Sequence, residues 1–165
     1  MKKTIFAFMA IATLGLAACQ KNETPDPEPT PAELAAGVYD GQLSIELGGS
    51  AMGDPIDQQV EIIAAEDGTV TLSIKNLSVL GGMITFDEIS LPGCPVTKND
   101  DGSLSTSTKE TVTLTFDKVG ECDIDMAGSI NDEEAVLDLD IVPKSLGGTT
   151  VTAHFEGTRS ETAAE

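Results

Sequence analysis

The chain has 165 residues, 28 acidic against 9 basic side chains, and a net charge of −19. A polyanion of this kind repels nucleic acid and anionic membrane surfaces, which sets both aside as partners held by charge. Frequent glycine, a single tyrosine and no tryptophan suit short strands joined by tight turns, and the length beyond residue 36 holds one domain with a core of its own rather than two.

Met1-Lys2-Lys3 is a positive start, and Ile5 to Leu16 is a nearly unbroken apolar run. The run suits the apolar part of a signal peptide and falls short of the ~20 residues that a membrane-spanning helix needs. It closes on Leu16-Ala17-Ala18-Cys19, which resembles a bacterial lipobox. Residues 1–18 are therefore expected as a lipoprotein signal peptide. Cys19 becomes the acylated first residue, and its several acyl chains hold a bilayer far better than one chain can. Gln20-Lys21-Asn22-Glu23 resembles the charged signal that sends lipoproteins of Bacteroidetes to the cell surface, with Asn22 departing from the acidic pattern. The expected location is the outer membrane, lipid-anchored, with the domain at the cell surface.

Residues 19–36 read as the lipidated cysteine and a Pro-rich linker. Pro25, Pro27, Pro29 and Pro31 alternate with Asp, Glu and Thr, so an extended, polyproline-like tether is expected. From Gly37 the pattern switches to period two. Tyr39, Gly41, Leu43, Ile45 and Leu47 share one face, with Asp40, Gln42, Ser44 and Glu46 on the other, as in a half-buried strand. A second strand carries Ile56, Gln58, Val60, Ile62 and Ala64. Glu66-Asp67-Gly68 supplies the positive φ of a hairpin turn, and Val70, Leu72, Ile74 and Asn76 follow on one face. Leu77 and Val79 fall out of phase, which predicts a bend or bulge. Ile84 and Phe86 alternate, Ile89 and Leu91 shift phase, and Pro92-Gly93-Cys94-Pro95 is irregular. Further strands centre on Val112 to Phe116, Cys122 to Ile130, Leu137 to Ile141 and Val151 to Gly157. Pro143 ends the one before last, because an interior strand needs the N–H that proline lacks. Eight or nine short strands and no amphipathic helix predict an all-β, up-and-down antiparallel barrel or a sandwich. One apolar and one polar face along each strand fits a closed, filled barrel, which also leaves no exposed sheet edge.

Cys94 and Cys122 are the only thiols besides Cys19. Outside the inner membrane the setting is oxidising, so a Cys94–Cys122 disulfide is expected, worth about 3 kcal/mol in the loop-entropy picture. One histidine and this spacing match no zinc pattern. Neither a phosphate-binding loop nor a Gly-x-Ser-x-Gly elbow occurs. His154 is flanked by inward Ala153 and Phe155, so it is expected on the outside as a surface histidine rather than a catalytic base. Asp123, Asp125, Asp138 and Asp140 fall on the outer face of two successive strands. Pairing Ile130 with Ala135 would set Asp125 against Asp140, an unfavourable like-charge pair that would invite a cation. Pairing Ile130 with Leu137 avoids that contact and is the register favoured here. Asn99-Asp100-Asp101-Gly102 and Asn131-Asp132-Glu133-Glu134 are explained by turn chemistry rather than by calcium. No metal, cofactor or catalytic set is expected.

Gly37-Val38-Tyr39-Asp40-Gly41, Glu66-Asp67-Gly68-Thr69-Val70 and His154-Phe155-Glu156-Gly157, together with the lipobox and tether, resemble the calycin-like domain of Bacteroidetes lipoproteins. The resemblance covers about residues 37–159 and leaves 160–165 as a polar tail. It implies an up-and-down, eight-stranded, lipocalin-like barrel. The wider calycin group opens with Gly-x-Trp and packs a late basic residue over that Trp. Here Tyr39 replaces the Trp, and Arg159 is the corresponding basic residue expected to close the barrel floor over it.

Two non-enzymatic functions follow. In the first, favoured by the resemblance, the barrel binds a small apolar ligand among Tyr39, Leu43, Leu72, Phe86, Leu114, Phe116, Met126, Leu139 and Phe155. In the second these residues are simply core, and the chain is a surface interaction module or inhibitor. Its contacts would lie on the loops Gly48 to Ile56 and Leu91 to Thr108, with an apolar patch around Met52, Leu80 and Met83. The partners expected are the bilayer, through acylated Cys19, and a small apolar ligand.

Overall fold

The computed structural model describes residues 28–79, 84–114, 120–144 and 147–160. The export segment, Cys19, the linker to Pro27, Leu80, Met83, Phe116 and the tail from Glu161 lie outside the described residues. A short helix α1 (Pro31–Ala35) precedes nine strands: β1 (Gly37–Leu47), β2 (Ser50–Ala51), β3 (Ile56–Ala64), β4 (Thr69–Val79), β5 (Ile84–Lys98), β6 (Leu104–Leu114), β7 (Gly120–Ile130), β8 (Glu134–Pro143) and β9 (Val151–Arg159). Every strand pairs antiparallel with its successor around the sheet, and β1 pairs back on β9 from Tyr39–Arg159 to Leu47–Val151. β2 only extends the far end of β1. The eight long strands close an up-and-down barrel.

Alternation decides which face is inside. Tyr39, Leu43, Val60, Ile62, Leu72, Ile124, Met126, Leu137, Leu139 and Phe155 point inward and are buried. Asp123, Asp125, Asp138 and Asp140 are exposed on the outer wall. A charged outside and an apolar inside is the reverse of a membrane-spanning barrel, and no described helix is long and apolar enough to cross a membrane.

Several details differ from the sequence expectation, each for a physical reason. The tether does not run extended to Ala36. Thr30 and Glu33 form a capping box and Pro31 stands in the first turn, which starts a helix that buries Ala32 and Ala35 against the barrel. The expected loop from Leu91 to Thr108 is mostly strand. Pro92-Gly93 is the extra pair of a bulge, with Gly93 at φ 71, between the Val70–Cys94 and Leu72–Leu91 pairs. Asn76 does not share the face of Ile74. It adopts φ 53 and is exposed, so the phase flips and Leu77 turns inward. β7 and β8 take the register that opposes Asp125 to Asp140, because Ile130 pairs with Ala135. The tight turn dictates this: Asn131 N–H bonds Glu134 O, and Asn131 Oδ1 accepts the N–H groups of Glu133 and Glu134.

Candidate functional site

The barrel floor is built around Arg159. The β1–β9 register sets Arg159 opposite Tyr39, with its guanidinium carbon 5.1 Å from the ring centroid. Nη2 donates to Tyr39 Oη at 2.7 Å and to Leu34 O at 2.8 Å, and Nη1 donates to Ala36 O at 2.6 Å. Tyr39 Oη in turn donates to Ala35 O at 2.9 Å. The carbonyls that a helix leaves unpaired at its C-terminus are thus taken up by the barrel. A five-residue helix has little stability of its own, so this capping and the burial of Ala32 and Ala35 hold α1 in place. Gly37 is part of the same arrangement, since a Cβ there would lie 2.9 Å from Arg159 Nη1. Burial pushes the Tyr39 hydroxyl above its ordinary pKa, partly opposed by the charge of Arg159.

Above the floor the described inward side chains pack against one another. Of the candidate cavity set, Tyr39, Met126 and Phe155 have no exposed surface, and Leu43, Leu72 and Leu139 keep 1–2%. Phe86 lies on β5 and Leu114 on β6, their side chains outside the described residues. The Phe155 ring lies over Gly157, which has no side chain to meet it. Gly41, opposite Gly157, lets the β1 and β9 backbones approach so closely that a Cβ would be 2.1 Å from Glu156 O. The surface depressions are open grooves on the outer wall, lined by such residues as Asp40, Gln42, Asp57 and Gln59, or Lys109, Thr111, Asp123 and Asp140. Met52 is half-buried beside β2.

Cys94 and Cys122 are not bonded to one another. Both are buried thiols, on β5 and β7, with β6 between them. Cys122 stands level with Val112 on β6, whereas β5 meets β6 only from Val96 to Lys98. The two thiols thus stand on different strands and at different levels of the wall, which keeps them from the short Cα separation that a disulfide needs. Cys94 Sγ donates to Leu91 O at 3.3 Å. Burial, with a smaller contribution from Glu110, pushes its pKa up to about 11. The Cys122 thiol is raised too, by burial and then Asp123.

The outer wall carries rows of polar side chains across β6 to β9. Lys109 pairs with Asp125, and Thr152 Oγ1 donates to Asp140 Oδ1 at 3.0 Å. The like-charge contact of this register therefore has its cation, supplied by the protein. Thr111 donates to Asp123 at 2.7 Å, and Lys144 lies 3.3 Å from Glu121 and 3.7 Å from Asp123. His154 points outward, with Nδ1 2.6 Å from Asp138 and Nε2 3.1 Å from Glu156. Those two hydrogen bonds raise its pKa above the ordinary imidazole value. The Asn99–Gly102 turn spends Asp101 Oδ1 on Ser103 N–H and O–H at 3.0 and 2.6 Å. Among the described residues no group of three or more His, Cys, Asp or Glu side chains is placed to hold a metal ion.

A closed antiparallel barrel sealed at its first strand by an aromatic ring beneath a late arginine defines the calycin architecture. The model of the calycin-like β-barrel domain matches residues 35–158, and the chain belongs to that family. Among solved structures, a candidate outer membrane protein from Bacteroides fragilis NCTC 9343 superposes with a TM-score of 0.63 at 22% identity, over 78% of this chain. The match spans 52% of that protein, so this chain corresponds to about half its length. No curated protein matches the chain.

Proposed function

We propose that the chain is a lipid-anchored outer-membrane protein, facing the cell surface, whose barrel is a filled scaffold that meets its partner with its outside. The observation that carries this reading is the interior: six side chains suited to line a ligand cavity keep between 0 and 2% of their surface. A ligand-sized void beside them would leave accessible area on its lining. The anchor rests on the Leu16-Ala17-Ala18-Cys19 motif, and the outer membrane on that motif and the Bacteroides fragilis relative. The reading is non-enzymatic. Both ring nitrogens of the sole histidine are engaged by carboxylates, and the described thiols are buried with raised pKa values.

The placement of α1 orients the scaffold. Chain arriving from Cys19 enters at the floor through Thr30. The ten residues from Gln20 to Pro29 join the anchor to that floor. The opposite end, with the β1–β3 and β8–β9 connections, then faces outward. Native mass spectrometry of the chain purified gently in detergent from its own envelope tests the reading. The expected result is a protein mass increased only by acylation. A co-purifying small molecule released on denaturation would establish a carrier and overturn it.

A further inference from the structure

One part of the barrel wall is barely closed. Among the described residues, β6 pairs with β7 along its whole length, from Leu104–Ile130 to Leu114–Gly120, and β4 pairs with β5 from Thr69–Pro95 to Val79–Ile84. β5 and β6 share only Val96–Thr106, Thr97–Ser105 and Lys98–Leu104. The sequence explains where this ladder stops. Asn99 N–H bonds Ser103 O, and hydrogen-bonded rungs of an antiparallel pair recur at every second residue. The next such rung is Thr97–Ser105 and the one after it is Pro95 with Ser107. Proline has no N–H to give, so the ladder ends there.

The two edges of the resulting seam are not alike. β5 presents Pro92 and Pro95 within four residues and an exposed Glu88, devices that blunt an edge against pairing. β6 presents Ser107, Lys109 and Thr111, the residues whose backbone groups face the seam by the same two-residue repeat; none is proline, and the one charge among them, Lys109, is drawn to Asp125 on β7. On the inner side of this edge stand Thr106, Thr108 and Glu110, which share a face with Gly128, Met126 and Ile124 of β7. Thr106 is 4% exposed, and its hydroxyl has no hydrogen-bond partner. Its methyl lies toward Gly128 on β7. On the outer side, Asp123, Asp125 and Asp140 line the groove beside the edge together with Lys109, and three carboxylates against one ammonium leave that wall acidic.

We propose that the seam edge of β6, Ser107 to Thr111, accepts an extended cationic peptide segment of a partner protein as an added strand. This deepens the scaffold reading and rests on it. An unpaired backbone edge is recognised by another extended backbone, whose main-chain bonds supply affinity and whose alternate side chains supply specificity. Asp123, Asp125 and Asp140 on the outer wall select basic side chains. A second copy of this chain is disfavoured as the occupant, because each copy carries a net charge of −19 and like-charged bodies repel.

The test uses the full chain in detergent and, as probe, a fluorescein-labelled peptide of alternating Lys and Val, beside the same peptide N-methylated at every second residue. The expected result is saturable anisotropy with the first peptide and binding weaker by at least about tenfold with the second. Amide exchange at Ser107, Lys109 and Thr111 should slow on binding. Lys109→Pro and Thr111→Pro, each removing one edge donor, should weaken the first peptide about tenfold. The peptide comparison and the exchange readout stand even where a proline variant does not fold. Absence of binding, equal binding of the methylated peptide, or protection confined to other strands overturns the proposal. So does self-association of the chain that Lys109→Pro abolishes, which would make a second copy the occupant. A small molecule found in the same sample by native mass spectrometry sinks the scaffold reading instead, a result the edge amides report on independently.

Discussion

Removing the Arg159 side chain tests the floor most directly. Arg159→Ala deletes three hydrogen bonds and the contact over Tyr39. Hydrogen bonds to a charged group are worth about 1.5–3 kcal/mol each when buried, and a cation over an aromatic face about 0.5–2 kcal/mol. The sum overstates the loss, because the Leu34 and Ala36 carbonyls regain water as α1 frays, and Tyr39 Oη keeps its bond to Ala35. We expect about 3 kcal/mol, a large share of the 5–15 kcal/mol typical of whole domains. Urea denaturation with fixed m-value measures it. Arg159→Lys should recover only about 1 kcal/mol, since a point charge cannot reach three acceptors in the fork geometry of guanidinium. A second readout separates docking from general weakening. The Ala36 N–H, bonded to Ala32 O in the native helix, should exchange faster in Arg159→Ala than the β7–β8 amides do. A loss below about 1 kcal/mol, with unchanged exchange at Ala36, would refute the view that Arg159 fastens α1 to the barrel.

Gly41→Ala should cost more than about 3 kcal/mol or abolish folding, because its Cβ would meet the Glu156 carbonyl at 2.1 Å, a backbone group that cannot move aside; a thermal midpoint within a few degrees of the native one counts against the close β1–β9 approach. Cys94 and Cys122 should resist a thiol reagent in the native state and both react in denaturant, since they are buried with raised pKa values; a native mass two hydrogens lighter would instead reveal a disulfide. The pKa of His154 is raised in the folded state by Asp138 and Glu156. Its stabilisation is therefore complete below the ordinary imidazole value and is lost as pH rises through the higher folded value. The side chain is 41% exposed, which limits the effect to about 0.5 kcal/mol. His154→Gln should flatten the urea midpoint between about pH 5.5 and 8.5, and an unaltered pH slope would sink this assignment.

The wall of the barrel was legible because its signal is local. Period-two alternation, Asp67-Gly68, Asn99 to Gly102 and Asn131 to Glu134 mark strands and turns without knowledge of their neighbours, and the inward set from Tyr39 to Phe155 follows. The Tyr39–Arg159 contact came from resemblance, since residues so far apart in sequence carry no periodic link. What escaped depends on tertiary context. α1 looked like tether because the alternating prolines at 25, 27, 29 and 31 outweigh a five-residue pattern, although Thr30, Pro31 and Glu33 together spell a helix start. The β7–β8 register was misjudged because Asp125 and Asp140 were weighed as an isolated pair, when Lys109 on β6 pairs with Asp125 and Thr152 on β9 donates to Asp140. The disulfide was expected from compartment and count, neither of which says that β6 lies between the two cysteines. Pro95 was visible, but its meaning depends on which rung it occupies.

The floor and the seam are two halves of one arrangement. A barrel must close somewhere, and here the chain termini meet along nine β1–β9 pairs, reinforced at one end by Arg159 and α1. The β5–β6 closure has three pairs. Opening free energies within a fold follow local pairing and burial, so the termini form the durable seam and β5–β6 the weak one. On the lipid-anchored reading proposed above, this division would be functional. Any load entering through α1 would fall on the reinforced β1–β9 side, whereas the short β5–β6 ladder lies away from that junction in the order of strands. A proline placed at the third rung thus leaves the β6 edge unpaired without weakening the β1–β9 join.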